Sequence, residues 1–330
     1  SSLAMYYGKP MDILKNLTKE YVVMSLYTNR DYEPYAKERD EKVSEFLNEN
    51  TIEFKTFKDQ VIFEKSEIVK GDGDPYVVYT PYKNKWQEQF DVDQDLKIHY
   101  TSQYLSNLIS NSRLPNLSLN DIGFKKSDIK IPDYDVTPTL IDNYEDTRNF
   151  PAKENGTSHL GPHLRFGTVS VRKMMKKAIA ENNKVFWSEL IWREFFMTIL
   201  YHFPHTVDNA FRAKYDRIEW RNNEAEFEKW KKGETGYLLV DAGMRQLNAT
   251  GYMHNRVRML VASFLCKHLL IDWRWGETYF AEKLLDYEMS SNVGNWQWAA
   301  GSGVDAAPYF RIFNPMTQVD KFDKDKKYIK

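Results

Sequence analysis

Strand-like runs are confined to the first 85 residues and helical periodicity takes over after Phe150, so this 330-residue chain must join two differently built layers. β-rich runs at 21–28 and 52–57 alternate with a helical pattern over 34–48, which predicts an α/β lobe over 1–85. Between 86 and 150 the sequence turns polar and loses periodicity, with Pro115, Pro132 and Pro138 among many Asp, Asn and Ser, and an interdomain linker is expected there. Over 151–330 helices are predicted at 170–180, 187–202, 237–249 with Gly251 as the stop, 254–269 and 276–287, giving a mainly α-helical domain. That domain holds eight of the nine tryptophans, its most unusual property.

Hydrophobic residues at 42% can fill a sizeable core, and no stretch approaches the roughly 20 apolar residues that span a bilayer. With no charged-then-apolar leader visible, a cytoplasmic protein without a membrane partner is expected. Cys266, the only cysteine, rules out a disulfide within the chain and a metal–thiolate cluster, and its apolar surroundings over 259–270 read as core. The net charge of −1 hides an asymmetry: 1–150 carries 19 Lys and Arg against 26 Asp and Glu, whereas 151–330 carries 27 against 21. A basic helical half suits a polyanion, although such a swing also separates unrelated domains.

The segment 286–311 resists a purely structural reading. It runs Asp286-Tyr287-Glu288-Met289-Ser290-Ser291-Asn292-Val293-Gly294-Asn295-Trp296-Gln297-Trp298 and closes with Asp305-Ala306-Ala307-Pro308-Tyr309-Phe310-Arg311. It is too polar and aperiodic for a core segment and too rich in tryptophan for a solvated loop, so it is read as lining a site for a planar aromatic cofactor. Glu189, Trp192 and Arg193 stand at i, i+3 and i+4, on one face of a helix. In isolation they are a surface ion pair beside a core indole. Their neighbours Phe186, Leu190, Ile191, Phe195 and Phe196 make that helix apolar nearly all round, and a charge pair there needs a partner or a ligand.

Asn255, Arg258 and Met259 share another face, with Arg256 directed elsewhere. Such arginines either meet phosphates or bridge helices through carboxylates such as Asp286. Gly156-Thr157-Ser158-His159-Leu160-Gly161 is either a phosphate-cradling turn or an ordinary helix cap. Gly301-Ser302-Gly303-Val304-Asp305-Ala306 fits a dinucleotide pattern but lacks a preceding strand and is discarded, and the pairs His159/His163 and His202/His205 lack a third metal ligand.

Taken together, the Thr157-Ser158 turn, the helix around Trp192, the run 254–259 and the segment 286–311 resemble the photolyase/cryptochrome family, in order through 144–330. Thr28-Asn29-Arg30-Asp31 and Thr80-Pro81-Tyr82-Lys83 are similar to the later part of that family's Rossmann-like antenna domain. The first strands of that domain and the family's usual end are missing, which marks the sequence as a fragment. The resemblance implies one reduced FAD per chain and a monomer whose partner is DNA carrying a flipped-out pyrimidine dimer. Tyr144, Thr157 and Ser158 are then expected at the ribityl and phosphate region, Arg193, Asn255, Asp286, Glu288 and Asn292 around the rest of the cofactor, and Trp296, Trp273 and Trp220 as an electron relay to the surface.

Glu189, Trp192, Asn255, Arg256, Met259 and Trp298 match positions that hold the lesion, and Asn255 with Met259 favours the cyclobutane-dimer branch. The implied activity is that of a deoxyribodipyrimidine photo-lyase, with a photoreceptor lacking repair as the alternative. Gly161 stands where a serine is common, Glu288 where many relatives carry aspartate, and Phe186 where some carry tryptophan. The family's folate contacts do not match Pro34-Tyr35, so an antenna chromophore of folate or deazaflavin type stays unassigned.

Overall fold

In the computed structural model, which describes residues 3–111, 113–306, 308 and 310–330, Ala307 and Tyr309 of the predicted ligand segment lie outside the described residues. The chain divides into two compact units, and the division is not the one that composition suggests. One runs as far as Asp59 and resumes over Lys97–Asp128, and the other comprises Gln60–Leu96 and Ile129–Lys330. Buried hydrogen bonding explains why 60–96 belongs with the helices. Glu194, 3% exposed, accepts from Ile62 N at 2.6 Å, Phe63 N at 3.0 Å and Trp86 Nε1 at 2.5 Å, and Tyr82 and Trp86 are fully buried in the same core.

In the first unit, strands Ser25–Asn29 and Glu53–Phe57 pair in parallel, with Ser25 opposite Glu53. Parallel neighbours need a crossover, which the helix Pro34–Glu49 supplies, started by Pro34 in its first turn. Val43 and Leu47 of that helix pack on Ile52, Leu26 and Phe54. A helix not read from the sequence, Pro10–Glu20, precedes them. The predicted strand 21–28 starts only at Ser25, and Val22 is 93% exposed.

The second unit is built on the helix Lys184–His202. Asn183 caps it by accepting from the N–H groups of Val185 and Phe186, and its buried run through Phe195 and Leu200 packs against helices Val171–Ala180, Tyr79–Gln89, Pro138–Thr147 and Met289–Ala300. Pro138–Thr147, capped by Thr137, lies inside the stretch expected to be linker. A second core gathers Trp230, Met244, Val257, Leu265 and Trp296. There Leu238–Thr250 ends at Gly251 with φ +68, as predicted. The helix Trp273–Lys283 stops short of the predicted 287 because Leu285 N–H turns to Gly251 O at 2.9 Å. Among the described residues no helix is long and apolar enough to cross a membrane.

Candidate functional site

Glu288 turns the tryptophan-rich segment into a helix. Its carboxylate accepts from Ser290 N at 3.0 Å, Ser291 N at 2.9 Å and the Ser290 hydroxyl at 2.8 Å, capping Met289–Ala300. Gly294 lets that helix lie against Lys184–His202, since a Cβ there would meet the Phe196 ring at 2.3 Å. The helix Asn255–Lys267 is started in turn by His254, whose Nδ1 accepts from Arg256 N at 3.1 Å. Burial and the nearby guanidinium groups of Arg258 and Arg256 push His254 down to about 4, so it is neutral and remains an acceptor.

These helices enclose a hollow of about 90 Å³ walled by Ala262, Phe280, Leu284, Trp296 and Ala299 and edged by Asn255, Asp286, Glu288 and Asn292. Asn255, Met259, Ser291, Asn295 and Trp298 also line a second hollow of about 330 Å³, whose other wall is Arg148, Glu189, Trp192, Arg193 and Phe196. Ten of the sequence-predicted site residues therefore meet on two adjoining walls.

Polar contacts fix several of them. Asn292 Nδ2 donates to Glu277 Oε1 at 2.9 Å and Glu277 O at 3.1 Å, which leaves Oδ1 as the acceptor end of its amide. Burial raises the Glu277 carboxyl above the usual range, opposed by the bond from Asn292. Arg258 Nη2 bonds Asp286 Oδ2 at 2.9 Å, so this arginine is tied to a carboxylate in the turn that precedes Met289–Ala300. Asp286 Oδ1 is buried without a partner. Gly161 lies against the same carboxylate, where a Cβ would stand 2.5 Å from Asp286 Oδ2, and a serine at this position has no room unless Asp286 moves. Glu189 pairs with Arg148, and burial nevertheless holds its carboxyl above the ordinary value.

Some predicted residues are already engaged by neighbours, and others lie outside both hollows. Trp192 is stacked on Tyr79 with ring centres 3.5 Å apart, so one face of the indole is already covered. Arg193 Nη1 donates to Gln60 O at 2.6 Å. Arg256 lines neither hollow; its Nη2 bonds Asn149 Oδ1 and its guanidinium lies over Phe322. Tyr144, Thr157 and Ser158 also lie outside both hollows. Tyr144 packs edge-on against Phe186, Thr157 Oγ1 approaches Tyr252 Oη at 3.5 Å, and Ser158 O accepts from Asp135 N, so the turn caps no helix with its side chains.

Trp296 and Trp273 are buried in one core with Trp220 packed against it from a partly exposed position. Trp296 owes its place to Gly276, where a Cβ would come within 2.1 Å of the indole. Gly276→Ala is accordingly expected to destabilise the protein by about 2 kcal/mol through overpacking, read as a lower midpoint in chemical denaturation. Glu277, Arg148 and Tyr79 were not singled out from the sequence. Each is distant in the chain from the residue it serves, and no local spacing signals it.

The profile described as the FAD binding domain of DNA photolyase matches residues 186–330, and that described as DNA photolyase matches 1–99. The deoxyribodipyrimidine photo-lyase of Halobacterium salinarum is 39% identical over 100% of this chain and 73% of its own length. A bacterial class III photolyase from Agrobacterium tumefaciens superposes with a TM-score of 0.85 at 36% identity, covering 98% of this chain and 70% of that one. A Synechocystis cryptochrome superposes with a TM-score of 0.81 at 26% identity, over 98% and 71%.

Proposed function

The chain belongs to the photolyase/cryptochrome family, with part of the family's α/β lobe followed by its mainly helical FAD-binding domain, and we propose that it repairs cyclobutane pyrimidine dimers in DNA under light. The observation that carries this reading is the pair of adjoining hollows, one edged by Asp286 and Asn292 and the other walled by Glu189, Trp192 and Trp298. The fit to a flavin rests on Asp286 Oδ1, a buried acceptor with no partner, and on the Asn292 amide, whose nitrogen is engaged and whose oxygen is available. When bound, the reduced FAD supplies light absorption and the electron that opens the cyclobutane ring and is then returned.

The chain's own residues hold, orient and shield. Asp286, steadied by Arg258, offers an acceptor to a ring N–H, and Asn292 Oδ1 offers a second without adding negative charge beside an anionic ring. Glu288 is engaged in capping and acts by fixing the helix end that bears Asn292. Tyr144, Thr157 and Ser158, outside both hollows, are assigned to the ribityl and phosphate part, and Arg193 to the rest of the cofactor. Trp296, buried at the hollow, and Trp273 and the partly exposed Trp220, which share its core, are assigned to the relay.

The larger hollow, lined by Trp192, Trp298, Asn255 and Met259, is assigned to a flipped dimer, and Arg256, outside it, to the strand's backbone. Glu189, paired with Arg148 and held above its ordinary pKa by burial, is assigned to a hydrogen bond with a base of the lesion. Tyr79 covers one face of Trp192 and the Phe196 ring stacks on it at 5.6 Å, so the lesion is assigned to the part of the indole that lines the larger hollow; Trp192→Ala should weaken binding of dimer-containing DNA by about 1–3 kcal/mol in a fluorescence titration. Illuminating the reduced protein with a dimer-containing oligonucleotide tests the function. Recovery of thymine absorbance in light alone supports repair, whereas binding without recovery favours the photoreceptor that the cryptochrome likeness suggests.

A further inference from the structure

Arg148 lines the larger hollow, and the chain leaves it through Asn149 and Phe150 onto a surface where rings and cations alternate. Asn149 Oδ1 accepts from Arg256 Nη2, and the Arg256 guanidinium lies 4.6 Å from the centre of the Phe322 ring, with its Nε buried and unpartnered. Phe150, 38% exposed, meets Phe322 edge-on with ring centres 6.3 Å apart. Lys153 Nζ stands 5.9 Å from the Phe150 ring and Lys321 Nζ 5.2 Å from that of Phe322. Asp323 is turned inward, accepting from Tyr328 N and Ile329 N, and does not neutralise the patch.

We propose that this shelf is a second nucleic-acid contact that takes the unpaired nucleotides flanking the lesion. A base stacks on Phe150, and the adjoining phosphates lie against Arg256, Lys153 and Lys321. Exposed aromatic faces interleaved with cations are the chemistry by which single strands are held without regard to sequence, because every base has a π-face and every link a charge. The three consecutive residues 148–150 make the shelf continuous with the hollow, so a strand that leaves the lesion meets it next. The inference rests on the DNA-repair reading for its lesion, but not for its strand chemistry.

The test compares an undamaged thymidine oligonucleotide, the same strand with one central dimer, and the isolated dimer dinucleotide. Phe150→Ala is expected to weaken both strands about tenfold, as loss of a base stack does, and to leave the dinucleotide unchanged. Lys153→Gln with Lys321→Gln, both on exposed side chains, should make the plot of log affinity against log salt shallower by roughly 0.7 for each lysine. Unchanged strand affinity and salt slope in these variants, or an equal loss with the dinucleotide, would overturn the shelf. Equal binding of the two strands by the unaltered protein would instead count against the lesion reading, and the undamaged strand would still judge the shelf.

Discussion

Replacing Glu194 by Ala is expected to lower the free energy of unfolding by about 4 kcal/mol, the largest stability loss foreseen for a single substitution here. Both oxygens of this fully enclosed carboxylate receive hydrogen bonds, from Ile62 N, Phe63 N and Trp86 Nε1, and alanine would strand all three donors. Equilibrium urea denaturation gives the number, and a loss under about 1 kcal/mol would show that water replaces the carboxylate. A pH dependence accompanies it. Burial pushes Glu194 from 4.5 up to about 7 despite its donors, so the folded state binds this proton more tightly than the unfolded chain. The group's contribution is therefore greatest below about 4.5 and is lost as pH rises through about 7, by about 3 kcal/mol in all. Glu194→Gln, which cannot ionise, should be less stable throughout but should lack that part of the slope between pH 5 and 8.

Asn292→Asp carries the largest expected effect on the proposed chemistry. The new carboxylate would replace an amide nitrogen 2.9 Å from Glu277 Oε1, next to a carboxyl that burial already keeps above its usual range. Two such groups share a proton rather than ionise together, and the second charge appears only as pH rises. Affinity for the anionic reduced flavin should fall by about 2 kcal/mol, roughly thirtyfold, where the second charge is present, and by less at pH 6 than at pH 8. Anaerobic titration of reduced FAD at the two pH values measures this, and equal affinity for both proteins at both values would dissociate Asn292 from the cofactor.

What the sequence discloses and what it conceals follow from the range of the forces involved. Gly251 as a helix stop and the shared face of Glu189, Trp192 and Arg193 are local properties, and the structure has both. The helix Met289–Ala300 was concealed because Gly294 and the Ser and Asn residues are poor helix formers; close approach to Phe196 and the Glu288 cap override that preference. The N–H groups of Ile62 and Phe63 go to a carboxylate about 130 positions later, which no periodicity could reveal. The Asn292–Glu277 contact likewise arises only where two helices cross. The covered face of Trp192 depends on Tyr79, from a segment that composition had assigned to the other lobe.

The flavin content of the purified protein bears most directly on the whole scheme. After incubation with FAD and removal of the excess, one flavin released per chain on denaturation, and its loss when Asp286 and Asn292 are both replaced by leucine in a protein that stays folded, is the predicted result. A protein that remains colourless, or a double variant that retains its flavin in full, would contradict it.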